Sequence, residues 1–274
     1  MKKILLAFDG THFSDASFDF AKKLNEMNPI LLTGVFLPQT NFANLWSYAD
    51  GVGAPMMIGT TSESNNDIIE ENVDKFEKLC VKHNIEYRVH KDFNDLALPE
   101  LRKESRFADL LIIGSERFYE NMGSGEPNNY LKEALHNIEC GVIVVPEKYT
   151  FPTINILCYD GHESSVFAIK QFAYLLPEFS ENSTLISFAS SESDEKIPDE
   201  AYIEELASRH FSNLTISKID LESKKYFSTW ANEKKSAILV AGSFSRSTFM
   251  QMFKKSFVLD IIKEHSLPVF IGHK

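Results

Sequence analysis

The chain has 274 residues, of which 43% are hydrophobic and 24% charged, a composition typical of globular proteins and unlike that of disordered ones. Lysine and arginine number 28 against 39 aspartate and glutamate residues, which gives a formal net charge of −11. Nucleic-acid binding depends on protein cations that displace counterions from phosphates, so an acidic chain is poorly suited to it. We therefore expect no nucleic-acid partner.

Neither export nor membrane insertion is indicated by the sequence. The N-terminal apolar run is cut short by Asp9, whereas the hydrophobic region of a signal peptide has about 7–15 residues. No stretch approaches the roughly 20 apolar residues of a membrane span. Three scattered cysteines, Cys80, Cys140 and Cys158, offer no disulfide framework or zinc spacing. We expect a soluble, cytoplasmic protein without a membrane partner.

Short apolar runs alternate with helical periods through the first half of the chain. The apolar runs predict buried strands, and the amphipathic segments between them predict helices. Ser14 or Asp15 is expected to cap the first helix. The predicted strands lie at residues 4–8, 31–37, 87–90, 110–113 and 142–145, and the predicted helices at 14–25, 67–84, 96–105 and 130–137.

The second half repeats this order of elements. Continuous apolar strands that alternate with helices favour a parallel sheet covered on both faces, with a ligand crevice at the carboxyl ends of the strands. The predicted strands lie at residues 154–159, 184–189, 214–219, 237–241 and 269–272, and the predicted helices include 167–176, 201–211, 224–233 and 257–264.

Three short motifs occur once in each half and support an internal repeat. Asp9-Gly10 and Asp160-Gly161 follow the first strands, and Gly114-Ser115 and Gly242-Ser243 end the fourth strands. Gly141-Val142 and Pro268-Val269 open the last strands. We predict two tandem doubly wound α/β domains, residues 1–148 and 152–274, each with a five-stranded parallel sheet. The first carries a long inserted loop at about 38–64, which is rich in Gly, Asn, Ser, Thr and Met.

These paired motifs resemble the universal stress protein family in its tandem two-domain form, over nearly the whole chain. The resemblance implies a Rossmann-like fold related to the adenine-nucleotide alpha hydrolases. It further implies a role in the stress response or its regulation, with no defined turnover. Single-domain members of the family dimerise through their last strands, which implies a pseudo-dimer of the two halves here and leaves homodimerisation of the chain open.

Nucleotide-binding members of this family carry a Gly-x2-Gly-x9-Gly-(Ser/Thr) loop after the fourth strand, and glycines and amides there approach the phosphates. In the second copy only Gly242 and Ser256 match, because Ser245 and Lys255 stand where glycines are expected. The resemblance implies that the aspartate after strand one lies near the adenosine. The candidate residues for ATP with Mg²⁺ are therefore Asp9, Gly114, Ser115, Asp160, Gly242, Ser243, Lys255 and Ser256.

The first copy departs further from the glycine pattern. Arg117 occupies the second glycine position, and Asn128-Asn129 lies in the Gly-(Ser/Thr) position, with Gly123-Ser124-Gly125 between them. No nucleophile elbow, P-loop or His-Glu-x-x-His motif is present either. These degenerate loops favour a non-enzymatic protein with no certain cofactor, a weak ATPase at most. A nucleotide-binding switch in the second domain remains an alternative, as does a scaffold that binds a protein partner through the 38–64 loop.

Several candidate residues also have structural explanations. Asp9 and Asp160 can tie down a turn, and Gly114 and Gly242 can serve only the chain conformation at the end of a strand. Lys255 can belong to a solvated face. His12 lies three residues after Asp9, the spacing of a metal pair, but the second copy reads Asp160-Gly161-His162. We therefore expect both histidines to be solvent-exposed loop residues.

Overall fold

The computed structural model describes residues 1–38, 63–91, 97–118, 129–190, 196–220, 233–242, 261–262 and 264–273. Most of the 38–64 loop and most of the predicted helices at 224–233 and 257–264 lie outside the described residues. Ser243, Lys255, Ser256 and the Gly123-Ser124-Gly125 segment lie outside them as well.

The first half contains five strands and four helices within these ranges, at the predicted places. Ser14 caps the first helix, with its hydroxyl accepting from the Ser17 amide, as predicted. The helix before the third strand begins four residues earlier than the apolar period indicated, because its first turns are polar and carry no hydrophobic signal. The elements are β1 Lys2–Phe8, α1 Asp15–Met27, β2 Ile30–Phe36, α2 Glu63–Lys82, β3 Glu86–Lys91, α3 Ala97–Ser105, β4 Leu110–Gly114, α4 Asn129–Asn137 and β5 Gly141–Val145.

All five predicted strands of the second half are also present. Its first helix begins at Glu163 rather than at residue 167, again because its opening residues are polar. The elements are β6 Ile154–Tyr159, α5 Glu163–Leu175, a 3-10 turn Pro177–Phe179, β7 Ser183–Ser190, α6 Glu200–Ser208, β8 Asn213–Asp220, β9 Ala237–Gly242 and β10 Val269–Gly272.

The ten strands form one continuous sheet in the order β3-β2-β1-β4-β5-β10-β9-β6-β7-β8. Within each half all neighbouring strands are parallel. The doubly wound order is the same in both halves, β3-β2-β1-β4-β5 in the first and β8-β7-β6-β9-β10 in the second. The two halves meet at β5 and β10, which pair antiparallel with Phe270 opposite Ile143. The predicted α/β fold class, with two runs of five parallel strands, is confirmed.

Apolar side chains cover both faces of this sheet, and each layer extends across both halves. Alternate residues of β1 illustrate the division, since Ile4, Leu6 and Phe8 enter one layer while Leu5 and Ala7 enter the other. On the first face, the Phe151 ring lies 5.1 Å from that of Phe20 and 5.8 Å from that of Phe179. None of the described helices is long and apolar enough to cross a membrane.

Candidate functional site

The topology brings the predicted site residues of each half together in pairs. β1 lies beside β4 in parallel register, so Asp9 and Ser115 follow the carboxyl ends of adjacent strands. In the second half β6 lies beside β9, so Asp160 follows β6 next to the strand that ends in Gly242. The carboxyl edge of a doubly wound sheet is where ligands bind in such folds.

In the first half, the Asp9 carboxylate is occupied by its own turn. Asp9 is 4% exposed. Its Oδ1 accepts hydrogen bonds from the backbone amides of Thr11 at 2.9 Å and His12 at 2.7 Å, and from the Thr11 hydroxyl at 3.2 Å. A carboxylate with this many donors is fixed in place and shielded from an incoming ligand. The structure therefore gives Asp9 the turn-forming role.

His12 is not the exposed loop residue that the sequence suggested. Its Nδ1 lies 2.6 Å from Oδ2 of Asp9, and its side chain is 22% exposed. The prediction failed because the chain between Asp9 and α1, which begins at Gly10 with φ of +90°, is long enough to fold back and bring His12 against the carboxylate. Glycine adopts this backbone conformation without steric cost. His162, by contrast, is exposed as predicted.

Ser115 belongs to a polar cluster that includes a residue from the second half. Its hydroxyl donates to Oε2 of Glu116 at 2.6 Å and lies 2.9 Å from Nδ1 of His265. The same Glu116 oxygen accepts the backbone amide of Glu147 at 2.9 Å. Ser115 is 4% exposed, and the O–H group and one of the two oxygen lone pairs of its hydroxyl are used by protein partners.

The corresponding aspartate of the second half is open to solvent. Asp160 is exposed, and its Oδ1 accepts the backbone amide of His162 at 2.9 Å. Gly161 takes a positive φ of +79° here. The turn to the following helix is shorter than in the first half, since only Gly161-His162 separates Asp160 from α5. The two aspartates thus have different environments despite their equivalent places in the fold.

The glycines that end β4 and β9 allow close helix packing. A Cβ atom on Gly242 would lie 2.6 Å from the carbonyl carbon and oxygen of Ser164, which is far too close. A Cβ on Gly114 would lie 3.2 Å from the Ser14 hydroxyl, a tight but adjustable contact. Both positions therefore have a packing reason for glycine that does not involve a ligand.

The described residues hold no group of three or more His, Cys, Asp or Glu side chains placed to bind a metal ion. Cys80, Cys140 and Cys158 are unpaired, and burial raises the pKa of the Cys80 and Cys140 thiols to about 12. Thiols with such raised pKa values are poor nucleophiles, because the thiolate is the reactive form. The described site offers no activated nucleophile from these cysteines.

Sequence reasoning missed Glu116, Glu147 and His265. Burial raises the pKa of the Glu147 carboxyl, and the nearby Glu116 carboxylate adds to this effect. His265 reaches the cluster because β10 pairs with β5 and carries the preceding segment across to the first half. No sequence motif links these three residues, so only the order of strands in the sheet brings them together.

Comparison with known structures supports the fold. A universal stress protein from Archaeoglobus fulgidus DSM 4304 superposes with a TM-score of 0.68 at 14% sequence identity, covering 100% of this chain and 96% of that one. A putative universal stress protein from Pseudomonas aeruginosa UCBPP-PA14 gives a TM-score of 0.48 at 10% identity, covering 99% and 93%. No protein-family model matches the sequence, and no curated protein matches it either. The first of these two structures shows that the chain shares the universal stress protein fold over its full length.

Proposed function

We propose that this chain is a cytoplasmic stress-response or regulatory protein of the universal stress protein type, without catalytic turnover and without a nucleotide in its first half. The observation that carries the proposal is that Asp9 and Ser115 are already hydrogen-bonded to other residues of the chain. To bind a nucleotide in the first half, Asp9 would have to face the adenosine and Ser115 a phosphate. Their polar atoms are used instead by Thr11, His12, Glu116 and His265.

The energetic argument concerns what a nucleotide would displace. Hydrogen bonds to a charged carboxylate contribute about 1.5–3 kcal/mol each, and a ligand that breaks them must replace them in full. A Gly-poor loop supplies fewer free amides to a phosphate, because side chains keep the backbone at a distance. Both considerations oppose ATP binding in the first half.

The continuous sheet supports a further part of this proposal, the pseudo-dimer. Antiparallel pairing of β5 with β10 gives each half a partner at the edge where an isolated five-stranded unit would expose unpaired backbone groups. We propose that residues 1–148 and 152–274 are the two domains of this pseudo-dimer. The dimer interface of single-domain members is then formed within one chain. On this view homodimerisation of the chain is not required for stability.

Calorimetric titration of Mg-ATP into the intact chain tests the proposal, with AMP and cyclic AMP as controls. We expect no saturable binding up to millimolar ATP and no phosphate release above a heat-inactivated control. Ligand at 100 times its Kd would stabilise the fold by about 2.7 kcal/mol, so thermal unfolding provides a second readout. Micromolar binding that is lost in Asp9→Ala would overturn the proposal.

A second candidate function is a nucleotide-binding switch in the second half, favoured by the exposure of Asp160. Its phosphate site would use Gly242, Ser243, Lys255 and Ser256. In this case Mg-ATP binds with a stoichiometry of one, and Lys255→Glu weakens binding sharply because it inverts a contacting charge. Affinity that is unchanged in both Lys255→Glu and Asp160→Ala would exclude this site.

A further inference from the structure

The two halves place the same dipeptide, aspartate followed by glycine, directly after their first strands. Asp9-Gly10 follows β1, and Asp160-Gly161 follows β6. Asp9 is 4% exposed, whereas Asp160 is exposed to solvent. The chain therefore contains two copies of one dipeptide, one in a buried setting and one in an open setting.

An Asp-Gly dipeptide can rearrange without an enzyme or a cofactor. The backbone nitrogen of the glycine attacks the carboxyl carbon of the aspartate side chain. A new N–C bond forms and a C–O bond breaks, and the amide proton leaves with the carboxyl hydroxyl as water. Water then opens the resulting succinimide ring. Opening at the side-chain carbonyl restores aspartate, whereas opening at the main-chain carbonyl gives isoaspartate, and nothing is oxidised or reduced.

The fold of the second half requires glycine at the attacking position. Gly161 has a φ of +79°, a conformation that strains residues with a side chain. A Cβ atom on Gly161 would also lie 2.9 Å from the Pro198 side chain, which is too close. Because glycine has no Cβ, nothing beside its nitrogen hinders the approach of a carboxyl carbon. The structure thus keeps the reactive dipeptide in place after β6.

The Asp160 side chain is free to make the approach. Its Oδ1 accepts the backbone amide of His162 at 2.9 Å, which is its one side-chain hydrogen bond among the residues that the structure describes. Exposed side chains change rotamer within nanoseconds. The carboxyl carbon of Asp160 can therefore approach the Gly161 nitrogen once this single bond opens.

The equivalent groups of the first half are held in place. Oδ1 of Asp9 accepts the backbone amides of Thr11 and His12. Oδ2 of Asp9 lies 2.6 Å from Nδ1 of His12. The Gly10 carbonyl accepts the Asn72 side-chain amide at 2.9 Å, which restrains this part of the turn as well. Rearrangement at Asp9 therefore requires several hydrogen bonds to open first.

We propose that Asp160-Gly161 is a site of spontaneous covalent modification, at which aspartate converts to isoaspartate in the folded protein, and that Asp9-Gly10 is protected from the same reaction. The substrate is the chain itself, and the only co-reactant is water. The inference does not depend on the proposed function, because it uses only the exposure and the hydrogen bonds of the two dipeptides.

The modification changes the carboxyl edge of the second half. Isoaspartate at position 160 lengthens the main chain by one carbon between β6 and α5. The first turn of α5 packs closely on β9, since a Cβ atom on Gly242 would lie 2.6 Å from the Ser164 carbonyl. The short turn Gly161-His162 therefore has to take up the extra carbon.

Ageing of the intact chain at neutral pH, for several weeks below its unfolding transition, tests the proposal. Peptide mapping by mass spectrometry with electron-transfer fragmentation locates the isoaspartate, and methylation by an isoaspartate methyltransferase confirms it. We expect isoaspartate at residue 160 and at least about tenfold less at residue 9, because Asp9 must first leave several hydrogen bonds. Measurement by peptide excludes Asp50-Gly51, which lies outside the described residues. Absence of isoaspartate at residue 160, or equal amounts at both positions, would overturn the proposal.

Ageing of the chain unfolded in guanidinium chloride separates the effect of the fold from that of the flanking sequence. We expect Asp9 and Asp160 to react at similar rates there, because both side chains are then open to solvent. A difference between the two positions that persists unchanged in the unfolded chain would contradict the structural argument.

Two substitutions test the reaction itself. Asp160→Glu keeps the charge but would have to close a larger ring, so we expect no modification at this position. Asp160→Asn releases ammonia in place of water, and we expect faster formation of isoaspartate. Both variants change an exposed residue and are expected to fold, with thermal unfolding as the check. Modification in Asp160→Glu at the wild-type rate would show that the proposed ring does not form.

Discussion

The Ser115 hydroxyl lies 2.9 Å from Nδ1 of His265, a residue 150 positions later in the chain. Because the hydroxyl hydrogen is donated to Glu116, its oxygen is left to accept from the imidazole ring. The contact joins the end of β4 to the segment before β10, and so links the two halves close to the antiparallel strand pair. Ser115, which the family resemblance places at a phosphate site, contributes to the junction between the halves.

Replacing this hydroxyl is expected to weaken the folded state. Ser115→Ala leaves Glu116 and His265 without a shared partner, and we expect the free energy of unfolding to fall by about 1 kcal/mol. Urea denaturation at neutral pH measures this change. Ser208→Ala is the matched control, since Ser208 is exposed and donates only to the Glu205 carbonyl of its own helix. Equal stability of Ser115→Ala and wild type would show that the cluster is not a stabilising link.

The two equivalent aspartates are expected to differ in their contribution to stability. Asp9→Ala removes the acceptor for the Thr11 and His12 amides and for the His12 ring, and we expect a loss of about 2 kcal/mol or more. Asp160→Ala changes an exposed residue, and we expect the free energy of unfolding to fall by less than about 0.5 kcal/mol. Thermal or urea unfolding of both variants makes the comparison. Similar losses in both would contradict the asymmetry between the halves.

The glycine at the end of β9 is expected to tolerate no side chain. Gly242→Ala places a methyl group 2.6 Å from the Ser164 carbonyl, so backbone has to shift, and we expect a loss of about 1–3 kcal/mol. Gly114→Ala meets the Ser14 side chain at 3.2 Å, which can adjust, and a smaller loss is expected. Chemical unfolding of the two variants tests the order. A larger loss of stability in Gly114→Ala than in Gly242→Ala would mean that the close contact with Ser164 is not the reason for glycine at position 242.

Glu139 is expected to contribute stability that acid removes. Hydrogen bonds from Arg106 and then Arg102 lower the pKa of its carboxyl from 4.5 to about 2. A group with a lowered pKa in the folded state stabilises that state above its unfolded pKa and loses this contribution as the pH falls. Glu139→Gln should therefore be less stable than wild type at pH 7, with the difference shrinking between pH 4.5 and 2. A difference that does not depend on pH would contradict the ion-pair assignment.

Glu147 is expected to affect the pH dependence of stability in the opposite direction. Burial raises the pKa of its carboxyl above 4.5, so the folded state favours the protonated form. Its contribution is favourable below pH 4.5 and is lost as the pH rises through the raised value. Glu147→Gln keeps a neutral side chain at all pH values and should gain stability relative to wild type on going from pH 4 to pH 7. The same unfolding series used for Glu139→Gln measures this.

Local sequence patterns predicted the strands well but described the site less completely. Ile4–Phe8 and Ile154–Tyr159 are apolar runs whose burial needs no knowledge of distant residues, and both are strands. The Asp-Gly turns were also visible, because glycine after a strand indicates a change of direction. The pairing of His12 with Asp9 was not visible, because it depends on how the longer turn between Asp9 and α1 folds back on the carboxylate.

What the sequence by itself determined is the order of elements, their periodicity and the internal repeat, since these depend on residues close together in the chain. What only the tertiary structure decided is how equivalent residues of the two halves differ. Asp9 is buried under its own turn while Asp160 is exposed. The turn of the first half is three residues longer, and it brings Phe13 back to stack on Phe8 at the end of β1.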